Sequence, residues 1–266
     1  MFVLTRVLPG NPAFMVVGLH ADEEVLQATI ERMGLDRPIP EQYINYIGQV
    51  IKGDLGTAWR TSYPVTHDLK FRFPATMELS TYSLLIAIFW SVILGVWSAV
   101  KSKSFVSKAA DVVTAAGVSI PEFWLGIMLI VTLYSLWDIA PPPLGRIALD
   151  VDAPKAITGL YVVDSILTRN WVALRSSSAQ LALPVMTLAF VIGAPIMRLT
   201  RTFMLEALGS DYVRSARAYG LPQSTIIFRH ALRNALLPMT TMIGMIYGYL
   251  LGGTVLIEKV FAWPGM

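Results

Sequence analysis

Four stretches of this chain are too long and too apolar to fold as ordinary core helices. Residues 79–100 carry no charge at all. Residues 112–137 are interrupted only by Pro121 and Glu122, 179–197 contain Pro184 and Pro195, and 235–257 contain Pro238 and several glycines. Roughly 20 apolar residues cross a hydrocarbon layer as a helix. Pro and Gly are tolerated in such helices because neighbouring groups satisfy the freed backbone. Charged residues make up 15% of the chain, against about 25% in soluble domains. The expected fold class is therefore an all-α, polytopic integral membrane domain with four complete spans. Residues 1–8 read as the tail of an earlier helix. Both ends look abrupt, so the chain is expected to be a fragment lacking a first and a last helix.

Charge sets the expected orientation, because Lys and Arg accumulate in cytoplasmic loops. Lys101, Lys103 and Lys108 follow the first span; Arg198, Arg201, Arg214, Arg217, Arg229 and Arg233 follow the third, against Glu206 and Asp211. Residues 138–178 hold four basic and four acidic side chains, and 10–72 hold six and eight. Loops 101–111 and 198–234 are thus expected in the cytoplasm and the mixed regions outside. The net charge of +3 is too small to argue for nucleic acid. The organisation expected is an outer amphipathic region over 1–72 and a membrane core over 73–266. Within the former, 21–33 reads as a helix capped by Asp22 and stopped by Gly34, and 42–51 as a second with Tyr43, Tyr46, Ile47 and Val50 at helical spacing. Trp59, Tyr63, Phe71 and Phe73 suit a membrane interface.

Catalytic signatures are missing. The sequence has no GxxxxGK[ST] phosphate loop, no HExxH and no GxSxG, the patterns that would place phosphate cradles, zinc or a nucleophile. It has no cysteine, and His20, His67 and His230 are far apart; no catalytic or metal site is expected. Among ionisable residues, Glu122 lies well inside a span and Glu78 at a span edge. Glu122 is a candidate for an aqueous pathway, set against the plainer reading of a carboxylate at a helix N-terminus. No second buried charge is evident to pair with either, which leaves ion-coupled transport without residue support. Gly244, Gly248 and Gly252, with Gly253 adjacent, form a small-residue face suited to close helix packing, within the chain or against a second membrane subunit.

The segment DYVRSARAYGLPQSTIIFRHALRNALLP, residues 211–238, is the most regular polar feature. Asp211 can cap a short helix to Tyr219, Gly220 falls where a left-handed C-cap belongs, and 223–234 reads as a second helix entering the membrane. Arg214 and Arg217 share a face. Such a hairpin fits a groove on a partner protein or rests on anionic lipid, and residue chemistry leaves that choice open.

This segment resembles the cytoplasmic signature of binding-protein-dependent ABC transporter permeases of the dipeptide/oligopeptide/nickel branch. LPGNP, GLDRP at 34–38, GDLG at 53–56, the PAT-x-EL form at 74–79, SIPEFWLG at 119–126 and GGTVLIEKVFAWPGM at 252–266 resemble the same family in the same order. The resemblance implies a type I importer membrane domain whose hairpin couples to a separate ATPase subunit, on which ATP and magnesium bind; no cofactor is implied in this chain. It carries the coupling role to Asp211, Tyr212, Arg214, Ala216, Arg217, Ala218, Gly220, Leu221, His230, Arg233, Asn234 and Pro238. Tyr219 departs from the family's usual lysine. The implied partners are the ATPases, a second homologous permease, an extracytoplasmic binding protein and the lipid bilayer. The implied location is a bacterial or archaeal plasma membrane. Peptides are the expected cargo, with nickel, glutathione or oligosaccharide as alternatives. A secondary transporter or a non-transporting scaffold is the competing reading.

Overall fold

The computed structural model describes residues 13–18, 22–58, 61 and 63–266. Residues 1–12, His20, Ala21 and Trp59, which carried sequence expectations (the tail of an earlier helix over 1–8 among them), lie outside them. The chain divides into two compact units, residues 1–73 and 74–266. Among the described residues there is no β-strand, only an isolated antiparallel bridge between Thr57 and Pro64.

The first unit contains α1 (Ala13–Val17), α2 (Glu23–Arg32) and α3 (Ile39–Ile51). Asp22 takes the N-cap position of α2 with extended backbone, but its side chain makes no capping bond. Gly34 follows at φ +63°, the left-handed conformation that stops a helix. α3 starts at Ile39, earlier than the expected 42, because Pro40 fits its first turn, where no backbone donor is needed. Tyr63 stacks on His67 at 5.1 Å and His67 lies 4.7 Å from Phe71. Tyr63, Phe71 and Phe73 are exposed.

The helices of the membrane core are α4 (Val65–Val100), α5 (Phe105–Ser119), α6 (Glu122–Leu136), α7 (Tyr161–Leu167), α8 (Trp171–Gly209), α9 (Asp211–Ala218), α10 (Thr225–Gly253) and α11 (Val255–Val260). Hydropathy located the spans but not their ends. α4 begins at Val65 rather than near 79 and runs through Pro74. α8 extends the expected 179–197 in both directions, through Pro184 and Pro195, and starts where Asn170 Oδ1 accepts from Ala173 N at 3.0 Å. Its 39 residues measure about 58 Å. α10 ends at Gly253 rather than 257, and the expected helix over 223–234 is its continuous first part, with a wide π-helical stretch at Thr225–Leu232. The expected basic loops shrink accordingly, since 105–111 belong to α5 and 198–209 to α8. The Pro121 break is real: α5 and α6 meet at 107°.

α8 is the axis of the bundle. It packs against α5, α6, α7 and α10, and Leu188, Ala189, Ile192 and Ile196 lie in the main core with Leu79 and Leu84 of α4 and Met239 and Leu250 of α10. Close approach depends on glycines that the sequence did not single out. A Cβ at Gly95 would fall 2.6 Å from Thr200 Cβ, at Gly117 2.4 Å from Ala194 Cβ, and at Gly193 2.2 Å from the Trp90 ring. These pairings fix direction. Residues 90 and 95 meet 193 and 200, so α4 runs parallel to α8, whereas 117 meets 194 and 126 meets 187, so α5 and α6 together advance antiparallel to it. Thr200 Oγ1 reaches Met239 Sδ at 3.5 Å and Ser80 Oγ donates to Leu250 O at 3.2 Å, which makes α10 antiparallel to both α4 and α8. The alternation is that of successive membrane crossings. Asp111 and Arg201 pair across α5 and α8.

Overpacking a well-filled contact typically costs about 1–3 kcal/mol, so Gly117→Val should lower the melting temperature of the detergent-solubilised protein. Gly244→Ala should not, since no heavy atom lies within 4 Å of the added carbon and Ala is favoured over Gly inside a helix by about 1 kcal/mol. Equal melting of the two variants would contradict this packing.

Candidate functional site: a basic hairpin and a buried polar knot

The polar features gather at opposite ends of the bundle. At one end, α8 passes through Ser210 into α9, which turns back into α10. Ser210, not Asp211, occupies the N-cap position of α9; its Oγ donates instead to Ala207 O at 2.5 Å and so closes α8. Asp211 stands in the first turn, exposed, with its carboxylate 3.4 Å from Arg214. The turn itself forms as the sequence demands. Gly220 has φ +73°, Gly220 N donates to Arg217 O at 3.0 Å and Leu221 N to Ala216 O at 3.2 Å, the paired bonds of a Schellman ending.

One side of the hairpin is anchored. Val213, Ala216 and Ile226 are buried together against Leu208. Ala231 and Ala235 are buried among Val96, Ala99, Met204 and Ala207. The other side is open: Tyr212, Arg214, Arg217, Ala218, Tyr219 and Leu221 are exposed, Tyr219 to 86%. The candidate coupling residues therefore divide. Ala216 is internal scaffold, not contact surface. Tyr212, Asn234 and Pro238 share a groove of about 370 Å³ with Phe203, Glu206 and Ser210. Arg233 is exposed and His230 half-buried; neither lines that groove.

Gly244, Gly248 and Gly252 are exposed and meet no heavy atom within 4 Å. Among the described residues, their face packs on no other helix. Glu122 opens α6 directly after the Pro121 break, half-buried and with no salt bridge among the described residues. Its place in a first turn suits the helix dipole.

At the opposite end lies a polar knot that the sequence reading missed, and it overturns the expectation that Glu78 has no buried partner. Glu78 and Arg146 are 1% and 7% exposed. Arg146 donates to Glu78 Oε2 from Nη2 at 2.6 Å and from Nε at 3.2 Å, and Val162 N donates to Oε1 at 2.8 Å. Arg146 Nη2 also reaches Gly159 O at 2.7 Å, and its guanidinium stacks 3.7 Å from the centre of the Tyr161 ring. Asp164 gathers the preceding turn, accepting from Ile157 N, Thr158 N, Thr158 Oγ1 and Gly159 N at 2.7–3.1 Å. Beside them, Glu258 is a third buried carboxylate, 4% exposed. Its Oε1 accepts from Thr76 Oγ1 at 2.6 Å and from Thr254 Oγ1 at 3.3 Å. Trp263 Nε1 donates to Ala75 O at 2.9 Å and Met266 N to Thr76 Oγ1 at 3.1 Å. The one sequence signal was a carboxylate in each of two apolar runs, ATMELS and TVLIEKVF; nothing in spacing could pair Glu78 with a residue 68 positions away.

Burial acts to raise the Asp164 carboxyl, but the four hydrogen bonds from Thr158, Ile157 and Gly159 outweigh it and hold it below the ordinary 3.8. A depressed carboxylate stabilises the fold fully above its unfolded pKa, and that contribution is lost as pH falls through the folded value. Amide exchange at Ile157, Thr158 and Gly159, with intrinsic rates corrected for pH, should therefore lose protection below about pH 4. Asp164→Ala should expose the same amides at neutral pH. Unchanged protection in that variant would show that the turn holds itself.

Similarity to known proteins agrees with this architecture. Residues 91–266 match the family described as binding-protein-dependent transport system inner membrane component, and residues 1–80 match its N-terminal companion. The chain is 40% identical to the probable D,D-dipeptide transport system permease protein DdpB of Escherichia coli (strain K12), over all of this chain and 78% of that protein. It is 39% identical to the di/tripeptide transport system permease protein DppB of Pseudomonas aeruginosa (strain UCBPP-PA14), over all of this chain and 79% of the relative. Identity to the glutathione transport system permease protein GsiC of Pectobacterium atrosepticum is 33%, again over the whole chain and 77% of the relative. An all-helical bundle with apolar spans, an exposed basic hairpin and likeness to these permeases over the whole of this chain place it in the binding-protein-dependent transport system inner membrane component family, as an ABC transporter permease.

Proposed function

We propose that this chain is the membrane-spanning subunit of an ATP-driven importer that carries di- or oligopeptides inward by alternating access. The observation that carries the reading is the hairpin. One side is fixed in the ends of α4 and α8, its second arm is continuous with α10, and its free side offers Tyr212, Tyr219, Leu221, Arg214 and Arg217. An exposed aromatic and apolar surface bearing guanidinium groups fits a cleft on a folded protein, with aromatic and Arg anchors of the kind that dominate interfaces. A pair of ATPase subunits, holding ATP and magnesium, occupies that role. Residues 101–111 and 198–234 then face the cytoplasm of a bacterial or archaeal cell, and the knot faces outward, toward an extracytoplasmic binding protein.

The open glycine face of α10 supports a second, homologous permease as neighbour, since backbones approach closely where side chains are small. Glu122 belongs to the solute path in this reading. Peptide cargo follows from the names of the relatives, which include dipeptide, di/tripeptide and glutathione systems. Co-purification with an ATPase, followed by peptide-stimulated ATP hydrolysis in liposomes, tests the proposal. Uptake driven by an ion gradient without ATP would overturn it in favour of a secondary transporter.

A further inference from the structure

α10 is held by apolar contacts of small side chains at its lower end and by a polar fastening just beyond its upper end. Its lower part merges with the hairpin through the π-helical stretch Thr225–Leu232, a local geometry frequent at functional sites. Along its length α10 is thinly covered: only 17% of its most apolar window is buried, against 72% for α8. At its top the helix ends at Gly253, a single turn residue, Thr254, follows, and α11 sets off afresh from Val255. A Cβ at Gly252 would meet nothing within 4 Å.

Immediately past that break the chain is fixed. Glu258 accepts from Thr76 at the base of the apolar part of α4 and from Thr254 beside the glycines. Thr76 in turn accepts from Met266 N, and Trp263 holds Ala75 O. Gly265 lies so close to the Glu258 carboxylate that an added Cβ would overlap it. α11 is therefore fastened to α4 from within, at Glu258, and just beyond its C-terminal end, at Trp263 and Met266, while α10 reaches it through Gly252, Gly253 and the turn residue Thr254.

We infer that Glu258 is a positioning residue for transport: it pins α11 to α4 and so supplies the fixed bearing on which α10 swings at Gly252–Thr254 when the hairpin is displaced. The inference rests on the proposed importer function. The 21 residues of Arg233–Gly253 span about 31 Å, so a tilt of about 10° at the top moves the lower end by roughly 5 Å. A displacement of that size at the hairpin parts Ala231 and Ala235 from Val96 and Ala99 but needs no sliding at the knot. The hydrogen bond from Ser80 Oγ to Leu250 O and the contact between Thr81 and Tyr247 lie near the bearing, where the arc is short.

The test uses the importer assembled with its ATPase and binding protein in liposomes. Spin-label pairs at Trp97 and Leu237, and at Leu85 and Leu256, report the hairpin end and the knot end; all four side chains are exposed. On trapping the ATP-bound state, the first distance should change by roughly 5 Å, the arc estimated above from helix length, and the second should stay fixed. Equal change in both pairs, or change in neither, overturns the inference. In the same preparation Glu258→Ala should hydrolyse ATP yet move far less peptide per ATP, whereas Glu258→Gln, which keeps an acceptor for Thr76, should couple close to the unmodified protein. Unaltered coupling in Glu258→Ala also overturns it. If the unmodified importer shows no ATP-coupled uptake, the proposed function itself fails; if it couples normally while the labels behave otherwise, only the bearing is wrong.

Discussion

Replacing Arg146 by Ala should destabilise the folded chain by about 3–5 kcal/mol, the range for breaking a buried ion pair from one side. The reason is what remains. Glu78 would keep its hydrogen bond from Val162 N but lose both donors on Oε2, inside a site that is almost wholly closed to water. Gly159 O would lose its donor as well, and Tyr161 the cation over its ring. Removing both charges is a different experiment. Glu78→Gln combined with Arg146→Met keeps an oxygen for Val162 N and leaves no orphaned ion, so it should recover most of the loss. Melting of the purified protein, followed by size-exclusion profile after heating, distinguishes the cases. Equal melting temperatures for the single and double variants would mean that the knot depends on something other than charge compensation.

Gly220→Val should abolish coupling while the protein still inserts and folds. The position has φ +73°, and a β-branched residue there pays roughly 1–2 kcal/mol for left-handed backbone, enough to shift the turn population about 5- to 30-fold. A Cβ added there meets no neighbour within 4 Å, so the expected effect is conformational. Asn tolerates the left-handed region far better, and Gly220→Asn should retain much of the transport that Val loses. Peptide uptake and ATPase co-purification, measured against equal amounts of membrane-inserted protein, give the readout. Full uptake by the Val variant would remove the hairpin from the transport cycle.

The hairpin was legible in the sequence because all of its determinants are local. A run of basic residues, a glycine at the helix end and a following Leu-Pro fall within one segment, and each acts on backbone a few positions away. The apolar spans were legible for a related reason, since hydropathy is a sum over neighbours. Helix ends were not. Hydropathy stops at the first polar residues, yet α8 continues at both ends because Asn170 caps its start and because Met204 and Ala207 still find a core to bury against. The knot was illegible on stronger grounds. Thr76 meets Glu258 across 182 positions and Trp263 meets Ala75 across 188, so its partners become neighbours only after the bundle has closed. The packing glycines show the same limit from the other side. Gly244, Gly248 and Gly252 have the conspicuous spacing but stand open, whereas the isolated Gly95, Gly117 and Gly193 carry the close contacts.

The continuity of α8 also limits how this chain can change in length. Near its start, Ser176 Oγ accepts from Ala148 N in the long connection after α6, and near its end Met204 and Ala207 seat the hairpin. One unbroken helix thus sets the angle between those two attachments. Inserting a single residue between them rotates everything beyond by about 100° and shifts it by about 1.5 Å. That change would turn Met204 and Ala207 away from Ala231 and Ala235. Substitutions along α8 can be absorbed one side chain at a time, but a gain or loss of one residue cannot. Length variation in this chain should therefore collect in the connection between α6 and α7 and in the first unit, and leave 171–209 at constant length.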